Sequence, residues 1–202
     1  MARVKDNLYE SISVNEIKSP ILFVVDMING FVKNGPLHDL EINSITPNIQ
    51  KLLKELSGPR WFVCDSHSQN AREFQSYPPH CIAESEESKV IDELCPYVQD
   101  VLYKNSTNTF HAKGFPKIIP LLDNHSDIVI TGCCTDLCIL QFALSLNAWL
   151  NEYDRCNRII LPVDCVDTYH IPDVHDAYDW NRFALANMKM NGIMVVSHIR
   201  ED

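Results

Sequence analysis

The sequence predicts an α/β protein, a single-domain three-layer αβα fold spanning residues 1–202 around a mostly parallel central sheet of about six strands. Three observations carry this expectation. Short apolar runs recur at residues 21–26, 61–65, 101–104, 127–132, 158–164 and 192–197, starting roughly 25 to 40 residues apart. Most are rich in Val and Ile with little polar alternation, as strands buried on both faces should be. Between them lie stretches with apolar residues at helical spacing, and strands alternating with helices argue for a parallel sheet joined by right-handed crossovers.

Residues 1–18 mix charges with isolated apolar side chains and lack the continuous apolar core of a secretory signal. The first strand closes on Asp26. A helix over residues 45–56 then sets Ile49, Leu52, Leu53 and Leu56 on one face. The second strand closes on Asp65 and the third on Lys104. The fourth runs into Gly132-Cys133-Cys134-Thr135-Asp136-Leu137-Cys138, where Thr135 and Asp136 are good capping residues for a helix opening at Ile139. Cys133 and Cys134 read as packed strand-end residues, because neighbouring cysteines bridge only with strain. After the fifth strand, residues 168–176 close a loop in which His170 and His175 read as structural. The last helix carries Trp180, Phe183, Ala184 and Met188 as its apolar stripe, interrupted by Asn187 and stopped by Gly192.

At 202 residues and 46% hydrophobic, the chain suits one domain with a substantial core and is short for two. No run of eighteen apolar residues occurs, so a membrane span is not expected and a soluble, cytoplasmic protein is. Several of the eight cysteines sit in or beside apolar strands, where a chain of this length needs no staples, so reduced thiols are expected. A formal charge of −10 without a compensating Lys/Arg cluster repels phosphate backbones and anionic lipid, which argues against nucleic-acid and membrane partners.

Ligands of parallel α/β sheets bind at the carboxyl ends of the strands, so Asp26, Asp65, Lys104 and the 132–138 segment gather on one edge. Asp65-Ser66-His67, then Glu73, then Tyr77-Pro78-Pro79-His80 supply carboxylate and imidazole groups within sixteen residues. These are first-row metal ligand types. Asp65 and His67, two apart in an extended segment, leave the same face, and the two prolines hold the approach to His80 stiff. Cys138 falls in the first turn of a helix, where unpaired N–H groups and an ammonium such as Lys104 favour thiolate. A cysteine there is by itself commonly a packed core residue, yet the strand-end Asp and Lys beside it point to a nucleophile. Asp26, raised by burial, would accept and return its proton, Lys104 would hold the two anionic groups together, and backbone N–H groups around Cys134 and Cys138 would hold an oxyanion.

These residues resemble the nicotinamidases, within the isochorismatase-like cysteine hydrolases. Asp26-Met27-Ile28-Asn29-Gly30-Phe31 is similar to the first motif of that family, Tyr103-Lys104 followed by Thr109-Phe110 to the lysine motif, and Thr131 to Cys138 to the Gly-x-x-Thr-Asp-x-Cys signature. The resemblance implies the triad Asp26, Lys104 and Cys138, and a non-proline cis peptide between Cys133 and Cys134. It also implies one divalent metal on Asp65, His67, Glu73 and His80, zinc first with iron or manganese as alternatives, binding the pyridine nitrogen of a small-molecule amide flanked by Phe31 and Tyr77. Homo-oligomers are common among such relatives. Ile28, where many relatives carry Gln, and Glu84-Ser85, where Gly-Thr is usual, depart from the pattern at the pocket rim. The expected function is a metal-containing cysteine amidase converting nicotinamide to nicotinate and ammonia. A cysteine hydrolase of another small amide or carbamoyl compound, and a noncatalytic metal-binding or thiol-sensing module, stay open alternatives.

Overall fold

The structure, a computed structural model, describes residues 8–201. In chain order its elements are β1 (Ile12–Ser13), β2 (Pro20–Val25), α1 (Asn29–Val32), α2 (Thr46–Glu55), β3 (Arg60–Asp65), β4 (Asp100–Lys104), β5 (Asp127–Cys133), α3 (Leu140–Glu152), β6 (Arg158–Pro162), β7 (Val166–Asp167), α4 (Ala177–Met190), β8 (Met194–Val196) and β9 (Ile199–Arg200), with short 3-10 turns between them. The central sheet runs β4-β3-β2-β5-β6-β8, with β7 beside β5, and every pairing in it is parallel. The six expected strands are all present, and the two-residue β7 makes the sheet seven-stranded. β1 and β9 pair separately, also in parallel.

All six residues of β2 are buried, as befits a central strand covered on both sides. Its side chains alternate between the layers. Ile21, Phe23 and Val25 pack with Phe142, Ala143 and Leu146 of α3 and with Ala184, Leu185 and Met188 of α4. Leu22 and Val24 face the other layer, built on Ile49, Leu52 and Leu53 of α2. α2 starts at Thr46 with a proline in its first turn, where a missing N–H costs nothing. β4 is the edge strand and buries only alternate residues, so Tyr103 is exposed while Lys104 is enclosed. No helix among the described residues is long and apolar enough to cross a membrane.

The expected stripe of α4 is corrected. Its buried face is Ala177, Asn181, Ala184, Leu185 and Met188, while Trp180 and Phe183 are exposed. Asn181 tolerates burial because its Nδ2 donates to the Asp167 carboxylate at 2.8 Å, which leaves the two large rings on the outer face. Gly192 ends the helix in the left-handed region, φ +90°, while Ile193 N–H reaches back to the Met188 carbonyl.

Gly132 matters for the site. A Cβ at this position, φ +110°, would stand 2.0 Å from the Val25 carbonyl oxygen. Only a glycine lets β5 approach β2 this closely, and the next residues along the two segments are Asp26, just after β2, and Cys133, the last of β5.

Candidate active site

The sheet register brings the strand ends together. Val25 pairs with both Val63 and Gly132, and Asp65 pairs with Lys104. Asp26 turns out of β2 with φ +54°, a conformation few residues other than glycine adopt. Its N–H donates to the Val63 carbonyl at 2.8 Å, and its Oδ1 accepts the Asp65 N–H at 3.0 Å. Lys104 Nζ lies 2.8 Å from Asp26 Oδ2, donates to Asp65 Oδ1 and stands 3.7 Å from Cys138 Sγ. Acceptor atoms of Asp26, Asp65 and Cys138 all fall within 4.8 Å of one another, so three segments distant in sequence deliver an acid, an ammonium and a sulfur to one buried place.

Burial decides the charge states. It would depress Lys104, but Asp26 and Asp65 outweigh it and hold the ammonium well above the ordinary lysine value. Asp26 is pushed up to about 7 by burial, with Lys104 pulling down and Asp65 pushing up. Asp65 is also subject to burial, yet Lys104 and His67 keep it below the usual carboxylate range. At Cys138 opposing influences meet. Burial pushes its thiol well up and, although Lys104 pulls the other way, Asp26 and Asp65 add to the rise.

At the strand-to-helix turn the expected cis peptide is present, and the expected side-chain caps are not. Cys133 and Cys134 are joined by a cis peptide, and residues Thr135–Ile139 form a single π-turn that leads into α3. Cys134 stands at the N-cap position without a side-chain cap bond, so Thr135 and Asp136 do not cap the helix. Asp136 instead accepts the Thr168 hydroxyl on Oδ1 and pairs through Oδ2 with His175 Nε2 at 2.9 Å. The Cys134 carbonyl takes the N–H groups of Leu137 and Ile139, on either side of Cys138. Cys133 Sγ lies 3.2 Å from the Asp26 carbonyl, and all eight cysteines are free thiols.

Beside this group Asp65, His67 and His80 present ligand atoms within 4.8 Å of one another, all buried. His67 Nε2 lies 3.5 Å and His80 Nε2 3.9 Å from Asp65 Oδ2. Both ring nitrogens of His67 are buried with no hydrogen-bond partner, a costly state for a structural histidine, and Nε2, on the side of Asp65, is available to a cation. His80 Nδ1 pairs with the Pro78 carbonyl at 2.9 Å, which orients the ring and leaves Nε2 to face Asp65. The donor set therefore fits a divalent first-row cation. Glu73 lies outside this close group. Its carboxylate accepts the Thr107 hydroxyl at 2.6 Å and the Thr107 N–H at 3.2 Å, on the wall of the same cavity.

That cavity, about 350 Å³, has Asp65, His80, Cys134 and Cys138 among its lining and Phe31, Tyr77, Leu137 and Tyr169 as large apolar walls. Its size and its few convergent polar groups suit a small flat ligand. Phe31 and Tyr77 both contact the His80 ring, with centroids 5.7 and 6.2 Å away. Ile28, expected at the pocket rim, is instead fully buried in a bridge with Val90 and is not among the lining residues. The lining residues that go unread in the sequence are Pro36, Leu37, His38, Asp39 and Thr107. The only signal they offer is proximity to a motif.

Residues 20–199 match the family described as the isochorismatase domain. Among characterised proteins, Nicotinamidase 1 of Arabidopsis thaliana is 28% identical over 183 residues, covering 79% of this chain and 71% of that protein. Among solved structures, PnC1 from L. infantum in complex with nicotinate aligns with a TM-score of 0.74 at 17% identity, covering 95% of this chain and 98% of that one. Nicotinamidase PncA from Bacillus subtilis aligns with a TM-score of 0.70 at 20% identity over 89% and 100% of the two chains. An N-carbamoylsarcosine amidase from Thermoplasma acidophilum aligns with a TM-score of 0.70 at 23% identity over 89% and 96%. At such identities the structural likeness speaks to the fold.

Proposed function

The chain belongs to the isochorismatase family of hydrolases, and from that premise we propose that it is a metal-containing cysteine amidase that hydrolyses nicotinamide to nicotinate and ammonia through a thioester. The observation that carries this reading is the meeting of the Cys138 sulfur, the Asp26 carboxyl and the Lys104 ammonium at a cavity flanked by the Asp65, His67 and His80 cluster.

Phe31 and Tyr77 would flank the pyridine ring and hold the carboxamide over Cys138. As Sγ attacks the carboxamide carbon, Asp26 takes the thiol proton, and a carboxyl group raised to about 7 is suited to take and return a proton near neutrality. The carbonyl oxygen becomes an oxyanion facing the N–H groups of Cys134 and Cys138. Collapse of the tetrahedral adduct breaks the C–N bond, and Asp26 gives its proton to the departing ammonia. A water then loses a proton to Asp26 and attacks the thioester carbon, the C–S bond breaks, and the sulfur regains the proton. Lys104 keeps its charge throughout and offsets the negative charge that moves between sulfur and carboxylate. Asp65, His67 and His80 would hold a divalent ion, zinc first with iron or manganese as alternatives, and Glu73 is the next donor on the same wall. When bound, this ion supplies a Lewis-acidic anchor for the ring nitrogen.

The likeness to an N-carbamoylsarcosine amidase favours one second reading, hydrolysis of a small carbamoyl compound at the same thiol. Ammonia release by the metal-loaded protein from nicotinamide and from N-carbamoylsarcosine separates the two. The proposal expects release from nicotinamide that vanishes in Cys138→Ala while bound metal is unchanged. Release by the alanine variant, or none from nicotinamide by the wild-type protein, overturns it.

A further inference from the structure

His175 does more than fill the loop before α4. Its Nε2 lies 2.9 Å from Asp136 Oδ2 and its Nδ1 2.9 Å from the Tyr169 carbonyl oxygen. The ring is clamped between two others, stacked on Tyr169 at 3.9 Å and 12° and on Trp180 at 5.1 Å and 1°. Asp136 sits in the turn between Cys134 and Cys138, and it spends its second oxygen on the Thr168 hydroxyl. On the far side of the brace, Ile171 and His175 exchange backbone hydrogen bonds of 2.9 and 2.8 Å, closing the loop that carries Tyr169, His170 and Ile171 to the cavity wall. The brace thus joins the turn bearing the sulfur to the wall that the substrate meets.

The hydrogen-bond chemistry defines what the brace requires. A backbone carbonyl only accepts, so Nδ1 carries a hydrogen, and in the neutral ring Nε2 is then an acceptor. Its neighbour is a carboxylate oxygen, also an acceptor, so one further proton lies between Nε2 and Oδ2. With that proton the contact is charge-assisted and both groups are satisfied while buried.

We propose that His175 is a positioning residue: by tying Asp136 to the Tyr169 backbone it fixes the distance between the nucleophile turn and the Tyr169–Ile171 wall, and so sets the affinity for the ring amide. This rests on the reading of the cavity as an amidase site. Two variants of the full, metal-loaded chain test it. His175→Phe keeps the aromatic stack and removes both side-chain hydrogen bonds. Asp136→Asn keeps every bond, since a neutral His175 accepts from the new amide N–H, and it dispenses with the extra proton.

For His175→Phe the expected result is a KM for nicotinamide raised about tenfold or more, the size of one charge-assisted hydrogen bond, with kcat changed less than about threefold. Asp136→Asn should stay within about twofold of wild type in both constants. Alkylation of Cys138 by iodoacetamide should be unchanged in both, as the brace does not touch the sulfur. Backbone hydrogen exchange over residues 168–176 should accelerate in His175→Phe and not in Asp136→Asn. A wild-type KM in His175→Phe, an equal loss from Asp136→Asn, or unchanged exchange in His175→Phe overturns the proposal. Failure of the wild-type protein to release ammonia from nicotinamide defeats the amidase reading alone, and the exchange measurement still decides the brace.

Discussion

Replacing Lys104 with Met removes one buried ammonium and little else, because Met retains an unbranched apolar stem. Lys104 is 2% exposed, with Nζ bonded to Asp65, 2.8 Å from Asp26 and 3.7 Å from Cys138 Sγ. Without it two buried carboxyl groups face each other uncompensated, and breaking such a pair costs about 3–5 kcal/mol. That is a third or more of the roughly 5–15 kcal/mol that holds a domain folded. Protonation of Asp26 relieves part of the loss. Its folded value already lies above its unfolded one, so its contribution is fully present at acidic pH and is lost as pH rises through about 7. Removing Lys104 takes away the main influence that lowers it. The variant is therefore expected to lose least in acid and most above neutrality. Urea unfolding of the metal-free protein measures this, with Asp26→Asn and the double variant completing a cycle. In the double variant the cost of losing Lys104 should fall by more than about 1 kcal/mol, because one stranded charge is gone. A Lys104→Met protein within about 1 kcal/mol of wild type at neutral pH, or strictly additive single losses, refutes the claim that this ammonium holds the two carboxylates together.

Two further outcomes follow from the geometry. Gly132→Ala should lower Tm by about 10 °C or more and impair turnover, since the new Cβ would lie 2.0 Å from the Val25 carbonyl oxygen and force β5 away from β2 next to Asp26. A melting curve matching wild type would show that the strands yield without cost. His80→Ala should weaken metal binding by more than the roughly 10–100-fold lost on removing outer partners of a ligand, as measured by bound metal per chain after dialysis. Undiminished metal content would remove His80 from the ligand set.

The edge of the sheet is legible in the sequence because a parallel sheet imposes it. Each apolar run ends within two residues of a strand end, and the register that pairs Val25 with Gly132 and Asp65 with Lys104 carries the terminal residues to one side without help from distant contacts. Side chains whose state depends on a remote partner are not legible in this way. Asp136 satisfies every local rule for a helix cap, yet Thr168 and His175, 32 and 39 residues away, claim its carboxylate. Trp180 and Phe183 outrank Ala184 in hydrophobicity, and still the small residues and Asn181 face the core, because Asp167 supplies the hydrogen bond that lets Asn181 go inward. In each case a local propensity worth about 1 kcal/mol meets a buried hydrogen bond whose loss costs as much or more, and the tertiary partner wins. The same asymmetry makes His175 unremarkable in the sequence and central in the structure: its ring matters through Asp136 and the Tyr169 carbonyl, neither of which its spacing reveals.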